Sequence, residues 1–245
     1  MSRPPTLRLD RLLANLGYGS RREVQALIAD GLVRLDGETR REPSAKVTLA
    51  TDLPGRMMID GAPIDAPPPL SLIMHKPLGV VCSHREAGRS VYELLPTRWR
   101  ARTPLLSSIG RLDMNTSGLL LLTDDGAFLH RVISPRRHVA KRYHVTLARP
   151  LTGGEAQRFA AGDLVLEGES RALAPALLEA LSPARAWLTI TEGRHHQVRR
   201  MFAAVGNHVT ALHRDRIGGL DLPADLPPGR FRLLSDHDQA ALFAA

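Results

Sequence analysis

The sequence predicts an α+β protein with a small helical module in front of a larger domain built on a mixed, largely antiparallel sheet. Two short helices lie within about thirty residues near the start, and a proline-rich segment follows. Beyond it, alternating segments are not regularly separated by helices, which argues against a doubly wound parallel fold. A chain of 245 residues is long enough for two domains, and its hydrophobic fraction of 43% supplies material for a real core.

The front module reads as two helices followed by a short strand. Leucines at helical spacing over residues 9–16 define the first helix, and the glycines that follow end it. Ser20 and Glu23 form a capping box that begins the second helix, which Gly31 closes. LVRLDG then predicts a strand that runs into a turn at Asp36 and Gly37.

Basic side chains dominate the chain and surround this module. Lys and Arg number 33 against 25 Asp and Glu, so the net charge is +8, which is typical of proteins that bind a polyanion. A narrow apolar stripe with a basic rim indicates either an RNA-binding module or a helical hairpin with a solvated face, and charge alone leaves both open. The rim consists of Arg21, Arg22, Arg34, Arg40, Arg41 and Lys46.

The proline-rich segment IDGAPIDAPPPL predicts the domain boundary. It holds four prolines and lacks a helical period, so we expect a front domain over 1–58, a linker over 59–69 and a second domain over 70–245. Cys82 is the single cysteine, which excludes an internal disulfide. The sequence has neither an apolar signal core nor a run of some eighteen apolar residues, so we expect a cytoplasmic protein without a membrane contact.

Four segments set the expected frame of the second domain. RYHVTLA and ARAWLTITEG alternate and predict strands, the first with Tyr143, Val145 and Leu147 on one face. TGGEAQRFAAG predicts a helix that begins at a capping box formed by Thr152 and Glu155. HHQVRRMFAAVGN predicts a helix that directly follows the second strand.

The stretch GRLDMNTSGLLLLTDDG contains a candidate catalytic carboxylate. Asp113 lies in a polar loop, and four leucines at 119–122 anchor one end of that loop in the core. Arg111 shares the side of Asp113 if the segment is extended. Alone, the pair favours an ion pair in a surface turn over a catalytic site.

A second candidate site lies in EGRHHQVRRMF. Arg194, His196 and Gln197 crowd a predicted helix N-terminus, where backbone donors suit a phosphate. Arg199 and Arg200 follow within two turns and could reach a carboxylate or an RNA backbone, or form a solvated helix face. The four histidines at 195–213 lack the spacing of a helical metal site, and the sequence contains neither GxSxG nor a phosphate loop. We therefore expect neither a metal nor a cofactor.

At these residues the chain resembles the ribosomal RNA pseudouridine synthases. GRLDMNTSGLLLLTDDG resembles their catalytic motif, and EGRHHQVRRMFAAVGNHV resembles their later arginine motif. Three more blocks match in the same order, and residues 7–50 resemble the S4 RNA-binding module that these enzymes carry in front. The blocks are HKPLGVVCS, KRYHVTLA and LHRDRIGGLDLPADLPPGRFRLL.

The resemblance implies a role for particular residues. Asp113 matches the catalytic aspartate, and Tyr143 matches the tyrosine that packs against the target base. Arg111 matches the arginine that holds the flipped uridine out of the RNA stack. Arg199 matches the basic residue that pairs with the catalytic carboxylate. Further RNA contacts are expected from Arg21, Arg22, Arg34, Arg194, His196, Gln197 and Arg200.

The blocks are closest to the branch of that family that acts on small-subunit rRNA. This likeness implies a monomeric enzyme that converts one uridine of 16S rRNA, of the U516 type, within an assembling small subunit. Two alternatives stay open, a synthase that acts on 23S rRNA and a non-catalytic rRNA-binding assembly factor.

Overall fold

A computed structural model describes residues 4–134 and 137–244 of the chain. The described residues form two compact units, which we call the front unit and the sheet unit. Among the described residues, the front unit comprises those up to Ser71 together with Leu95–Ser107 and Thr123–Asp125, and the sheet unit comprises Leu72–Leu94, Ser108–Leu122 and those from Gly126 onward. Each unit is described below by itself.

The front unit combines three helices with two small sheets. Its elements are β1 (Thr6–Arg8), α1 (Leu9–Asn15), α2 (Arg21–Ala29), β2 (Val33–Leu35), β3 (Glu38–Thr39), β4 (Lys46–Thr48), α3 (Leu53–Arg56), β5 (Met57–Ile59) and β6 (Ala62–Pro63). In the described residues β1 pairs with β4, and the other strands form a sheet in the order β3-β2-β5-β6. The predicted helix-turn-helix and the strand after it are confirmed.

Local sequence explains where the two main helices of this unit begin and how they pack. Ser20 Oγ accepts from Glu23 N at 3.3 Å and Glu23 Oε2 accepts from Ser20 N at 2.6 Å, so the predicted capping box is formed. The four leucines over 9–16 are fully buried, together with Val24 and Ile28 of α2. The helical spacing of the leucines therefore does define the face that forms the core.

A buried carboxylate that the sequence pattern does not reveal ties the two helices together. Asp10 is fully buried and accepts from Arg8 at 3.0 Å, from Gln25 at 3.0 Å and from Arg21 at 3.3 Å. The hydrogen bond from Arg8, followed by those from Gln25 and Arg21, holds the pKa of Asp10 well below its usual range. The hydrogen bonds to this buried charge thus come from α2 and from Arg8, the last residue of β1.

The segment predicted as a linker is in part a hairpin of the front unit. β5 and β6 pair across Asp60 and Gly61, which both adopt a positive φ, at 49° and 75°. Ile64 is buried in the same core, and the N–H of Asp65 donates to Tyr18 Oη at 3.0 Å. The prolines predicted a linker, but Pro63 lies on an edge strand. At that position its missing N–H group does not remove a hydrogen bond between paired strands.

The sheet unit is built on a mixed sheet. Its elements are β7 (Ser71–Lys76), β8 (Ser107–Ile109), β9 (Ser117–Thr123), α4 (Gly126–Ile133), β10 (Lys141–Leu147), α5 (Glu155–Ala160), β11 (Leu177–Ser182), β12 (Arg185–Ile190), α6 (Gln197–Ala204), β13 (Val209–Ile217), β14 (Leu220–Asp221), β15 (Phe231–Leu233) and α7 (Asp236–Ala241). Among the described residues the main path is β11-β12-β10-β13-β9-β7-β15, with β14 on β13 and β8 on β9.

Strand directions confirm the predicted fold class. β10 pairs antiparallel with both β12 and β13, and β15 pairs antiparallel with β7. The contact between β13 and β9 is parallel, so the sheet is mixed and largely antiparallel. The predicted faces are also confirmed, because Tyr143, Val145 and Leu147 of β10 are all buried.

Helix starts in this unit follow the sequence less closely. Glu155 Oε1 accepts from the N–H of Thr152 at 2.9 Å, but the N-cap is Gly154 and the Thr152 side chain makes no cap bond, so only half of the predicted box is formed. In the part of the chain that the structure describes, no helix is both long and apolar enough to span a membrane.

Candidate active site

A cleft of about 920 Å³ opens within the sheet unit. Its walls come from the loop before β9, from the buried face of β10, from the segment between β12 and α6, and from β13. Asp113, Tyr143 and His196, which lie far apart in the sequence, all line it. The fold therefore brings together residues from both of the sequence motifs.

The loop that carries Asp113 is anchored at its far end by β9. Leu119–Leu122 are fully buried, and the N–H of Thr116 donates to the carbonyl of Asp113 at 3.0 Å, which closes a tight turn. The Asp113 side chain keeps 32% of its surface exposed to the cleft. The carboxylate thus stays accessible while its backbone is fixed.

The buried side chain of Lys76 holds the Asp113 loop through hydrogen bonds to its backbone carbonyls. Lys76, the last residue of β7, is fully buried, and its Nζ donates to the carbonyls of Thr116 at 2.8 Å and Asp113 at 3.0 Å. Burial lowers the pKa of Lys76, although the nearby Asp113 charge acts in the opposite direction. The segment HKPLGVVCS does not reveal this role of Lys76, because a single lysine at the end of an apolar strand has the pattern of an ordinary strand end.

The side chain that lies against the Asp113 carboxylate is the imidazole of His196. His196 Nε2 lies 3.5 Å from Asp113 Oδ1. His196 has a φ of 51°, a left-handed conformation that costs on the order of 1–2 kcal/mol in a residue with a Cβ. Its ring stacks on that of His195 with centroids 3.8 Å apart. The turn before α6 therefore presents an imidazole to the carboxylate.

Tyr143 lies on the floor of the cleft with 7% of its surface exposed. It comes from the buried face of β10, and Arg214 of the neighbouring strand β13 reaches it. Arg214 Nη1 lies 3.5 Å from Tyr143 Oη, and the guanidinium carbon is 6.0 Å from the ring centroid. The ring is thus held in one orientation beneath the cleft.

Arg111 does not form the surface pair with Asp113 that the isolated motif allowed. Its guanidinium binds Glu86 at the rim of the same cleft, and its side chain is 64% exposed. An exposed ion pair of this kind contributes at most about 1 kcal/mol. Arg111 is therefore available to a ligand that enters the cleft.

The structure places Arg199 away from Asp113, contrary to the pairing that the resemblance implied. Arg199 Nη2 donates to the carbonyl of Asn115 at 2.7 Å, and Nη1 donates to the carbonyl of Val209 at 2.9 Å. α6 begins at Gln197, which points Arg199 toward the outer side of the Asp113 loop rather than into the cleft. In this geometry Arg199 is a second clamp on the loop.

Three residues predicted to contact RNA are instead held by internal partners. Arg194 binds Glu169 and Glu192, and Arg200 also binds Glu169. Gln197 is buried, and its Oε1 accepts from the N–H of Arg194 at 2.9 Å. The helix N-terminus that was expected to bind phosphate is therefore partly occupied by the protein itself.

The arginines of the front unit differ in how free they are. Arg22 and Arg34 are exposed. Arg21 is 60% exposed although its Nε also reaches Asp10. All three thus retain surface that a polyanion can contact.

Two cations of the cleft, the half-buried Lys141 and the buried Arg214, were missed by sequence reasoning. Lys141 donates from Nζ to the carbonyl of Val139 at 3.0 Å, and burial together with the charge of Arg214 lowers its pKa to about 8. Arg214 is 2% exposed. Both lie in alternating strands, and Arg214 follows the pattern of a side chain that faces the core, which is where a sequence reading expects an apolar residue.

Comparison with known families agrees with this layout. Residues 7–53 match the S4 domain, and residues 71–204 match the RNA pseudouridylate synthases, which is more than half of the chain. A front S4 domain joined to a cleft with one loop-held carboxylate places the protein among RNA-modifying isomerases. The chain belongs to the RNA pseudouridylate synthase family.

Individual relatives match over nearly the whole length. Ribosomal small subunit pseudouridine synthase A of Escherichia coli is 41% identical over 240 residues, which cover 96% of this chain and 100% of that protein. The protein of the same name from Yersinia pestis is 41% identical over 242 residues, 97% of this chain and 99% of the relative. A crystal structure of a pseudouridylate synthase superposes with a TM-score of 0.67 at 35% identity and covers 96% of this chain and 99% of its own.

Proposed function

We propose that this enzyme converts a uridine of small-subunit rRNA to pseudouridine, with Asp113 as its catalytic carboxylate. The observation that carries the proposal is the position of Asp113 in the cleft: its backbone is held by Lys76, and its carboxylate stays accessible in the cleft that Tyr143 also lines. The target class is supported by relatives at 41% identity whose names specify the small ribosomal subunit.

The chemistry needs a base outside the RNA stack. Extrusion of a uridine costs a few kcal/mol, and stacking on an aromatic ring contributes roughly 1–3 kcal/mol in return. Tyr143 supplies that ring on the cleft floor, and Arg111, whose partner Glu86 lies at the rim, is placed to fill the gap left in the RNA.

In the proposed reaction the N1–C1′ bond of uridine breaks with Asp113 acting at the sugar or the base. The detached uracil turns, C5 bonds to C1′, the proton on C5 leaves and N1 gains a proton. Atoms and electrons balance without an oxidant or a second substrate, as an isomerisation requires. Lys76 is a cationic group near Asp113, and the His196 imidazole takes the place expected of Arg199.

RNA is held in part by the front unit in this proposal. Arg22 and Arg34 are exposed on an S4 domain, and Arg21 is mostly exposed. Arg194, Gln197 and Arg200 act by shaping the loop around His196 instead of by contacting RNA. We further propose that the chain acts as a monomer on an assembling small subunit.

Substitution of Asp113 tests the catalytic assignment. Asp113→Asn is expected to bind 16S rRNA as the wild type does and to abolish pseudouridine formation, because the amide cannot act as a nucleophile or base. Tritium release from RNA labelled at C5 of uridine measures turnover. Asp225→Asn, an exposed carboxylate in the sheet unit, is the matched control and should keep full activity. Full turnover by Asp113→Asn would rule out this mechanism.

Mapping of pseudouridine in both rRNAs, with and without the gene, tests the target. Loss of one pseudouridine from 16S rRNA alone is the expected result. Loss confined to 23S rRNA would refute the small-subunit assignment, and an unchanged map in both rRNAs would favour a non-catalytic RNA-binding role.

A further inference from the structure

Arg214 carries a buried guanidinium group that the protein itself leaves partly unsatisfied. Its Nε donates to the carbonyl of Leu119 at 2.9 Å, and Nη1 lies 3.5 Å from Tyr143 Oη. Its Nη2 is buried and has no hydrogen-bond partner within residues 4–134 and 137–244. A buried donor without a partner costs on the order of 1–3 kcal/mol, and more when it is charged. Such a group in a cleft points to a ligand.

The charges of the cleft leave Arg214 without a bound carboxylate among the described residues. Glu86 is paired with Arg111, Glu192 with Arg194, and Asp113 lies against His196. Two other cationic side chains lie near Arg214, the buried Lys76 and the half-buried Lys141, and the charge of Arg214 contributes to lowering the pKa of both. The interior of the cleft therefore has an excess of positive charge.

The position of Arg214 determines which kind of anion its guanidinium group can bind. The guanidinium lies beside the ring of Tyr143, on which the target base stacks in the proposed function, and it is buried rather than at the exposed rim. An RNA phosphate remains linked to the backbone and keeps its solvent, so the rim suits it better. The detached uracil is the anionic species that reaches the floor. When N1–C1′ breaks heterolytically, the electron pair stays on uracil and its charge spreads onto O2 and O4.

We propose that Nη2 of Arg214 donates a hydrogen bond to a carbonyl oxygen of uracil and stabilises the uracil anion that forms when the N1–C1′ bond breaks. This inference rests on the proposed function. The electron pair held by uracil returns when C5 bonds to C1′, so Arg214 neither gains nor loses a proton. A fixed donor aimed at developing charge accelerates a reaction by about 10²–10³.

The first test compares two arginines of the same strand. Arg214→Lys keeps the charge but moves the donor, and Arg216→Lys makes the same change at a more exposed residue paired with Asp221. We expect the single-turnover rate of Arg214→Lys to fall about 100-fold and that of Arg216→Lys to stay within threefold. RNA affinity, measured in the Asp113→Asn background, should stay within threefold for both.

The second test alters the substrate atom. A short RNA carries 2-thiouridine or 4-thiouridine at the mapped target, because sulfur accepts hydrogen bonds more weakly than oxygen. One of these substrates should slow the wild-type enzyme at least tenfold while slowing Arg214→Lys much less. The proposal would be overturned if each thio-substrate slowed Arg214→Lys by the same factor as it slows the wild-type enzyme. It would also be overturned if neither thio-substrate slowed the wild-type enzyme.

Folding is followed separately by the midpoint of thermal unfolding. If Arg214→Lys does not fold, Arg214→Gln, which keeps an N–H donor without the charge, is tested in its place, and the wild-type comparison of thio-substrates stands regardless. A wild-type enzyme that makes no pseudouridine refutes the proposed function. An active wild type with an active Arg214→Lys refutes only the role of Arg214.

Discussion

At the active site, burial determines how a lysine side chain interacts more than its chemical type does. Lys76 ends β7 and Lys141 begins β10, and each donates its hydrogen bonds to backbone carbonyls and not to a carboxylate. A lysine in such a setting is held in place by geometry, and its charge is penalised by desolvation. Replacing such a lysine with an apolar residue should therefore stabilise the fold, because the desolvation penalty is lost. The same replacement should loosen the part of the site that the hydrogen bonds of the lysine hold in place.

Lys141→Met tests this balance through pH. The pKa of Lys141 is lowered to about 8, whereas an unfolded lysine titrates near 10.4, so the unfolded chain binds more protons between those values. Stability of the wild type therefore rises across that window, and below pH 8 the full cost of burying the charge is present. We expect Lys141→Met to raise the midpoint of thermal unfolding at pH 7 by a few degrees, and the gain to shrink toward pH 10.

Lys46→Met, an exposed lysine of β4, is the control for this measurement. Its difference from the wild type should be small and equal at the two pH values. A Lys141→Met variant whose stability gain is the same at pH 7 and pH 10 would contradict the assignment of a buried charge.

At the level of elements, the parallel contact between β9 and β13 positions both the Asp113 loop and Arg214. Gly118 and Arg214 face each other in this pair, and Gly118 has a φ of 113°. A Cβ placed on Gly118 would lie 2.1 Å from the carbonyl oxygen of Arg214. The glycine is required by this close approach of two backbones.

Gly118→Ala should therefore separate the strands and destabilise the protein by more than about 2 kcal/mol. Gly126→Ala is the matched control just beyond the other end of β9, where a Cβ meets open space. Urea unfolding curves compare the two variants, and Gly126→Ala should be neutral or slightly stabilising. Equal midpoints for the two alanine variants would show that the backbone contact does not constrain residue 118.

At the scale of the whole molecule, the excess of positive charge is divided between two kinds of arginine. Arg194 and Arg200 are tied to glutamates, whereas Arg22 and Arg34 of the S4 domain are exposed. Only arginines of the second kind release counterions when RNA binds, so they should dominate the salt dependence of affinity.

The double variant Arg22→Gln with Arg34→Gln measures this contribution in the intact chain. The slope of log affinity against log salt should become shallower by about 1.4–1.8 if each arginine neutralises one phosphate. Arg185→Gln, an exposed arginine of β12, should leave the slope unchanged. A slope that does not change in the double variant would remove these two residues from the RNA interface.

The sequence by itself determined the α+β class, the first two helices of the front unit and the alternating strands β10 and β12, because capping and periodicity act over a few residues. Its motifs also matched Asp113 and Tyr143 to functional residues of one enzyme family. Only the tertiary structure decided that Lys76 holds the Asp113 loop, that His196 and not Arg199 lies against the carboxylate, and that Arg214 is buried beneath the cleft. Those relations join residues that lie more than thirty positions apart in the chain, and they depend on strand order and on the start of one helix. No local sequence pattern encodes such contacts, so tertiary packing alone determines which side-chain nitrogen lies against which carbonyl or carboxylate oxygen.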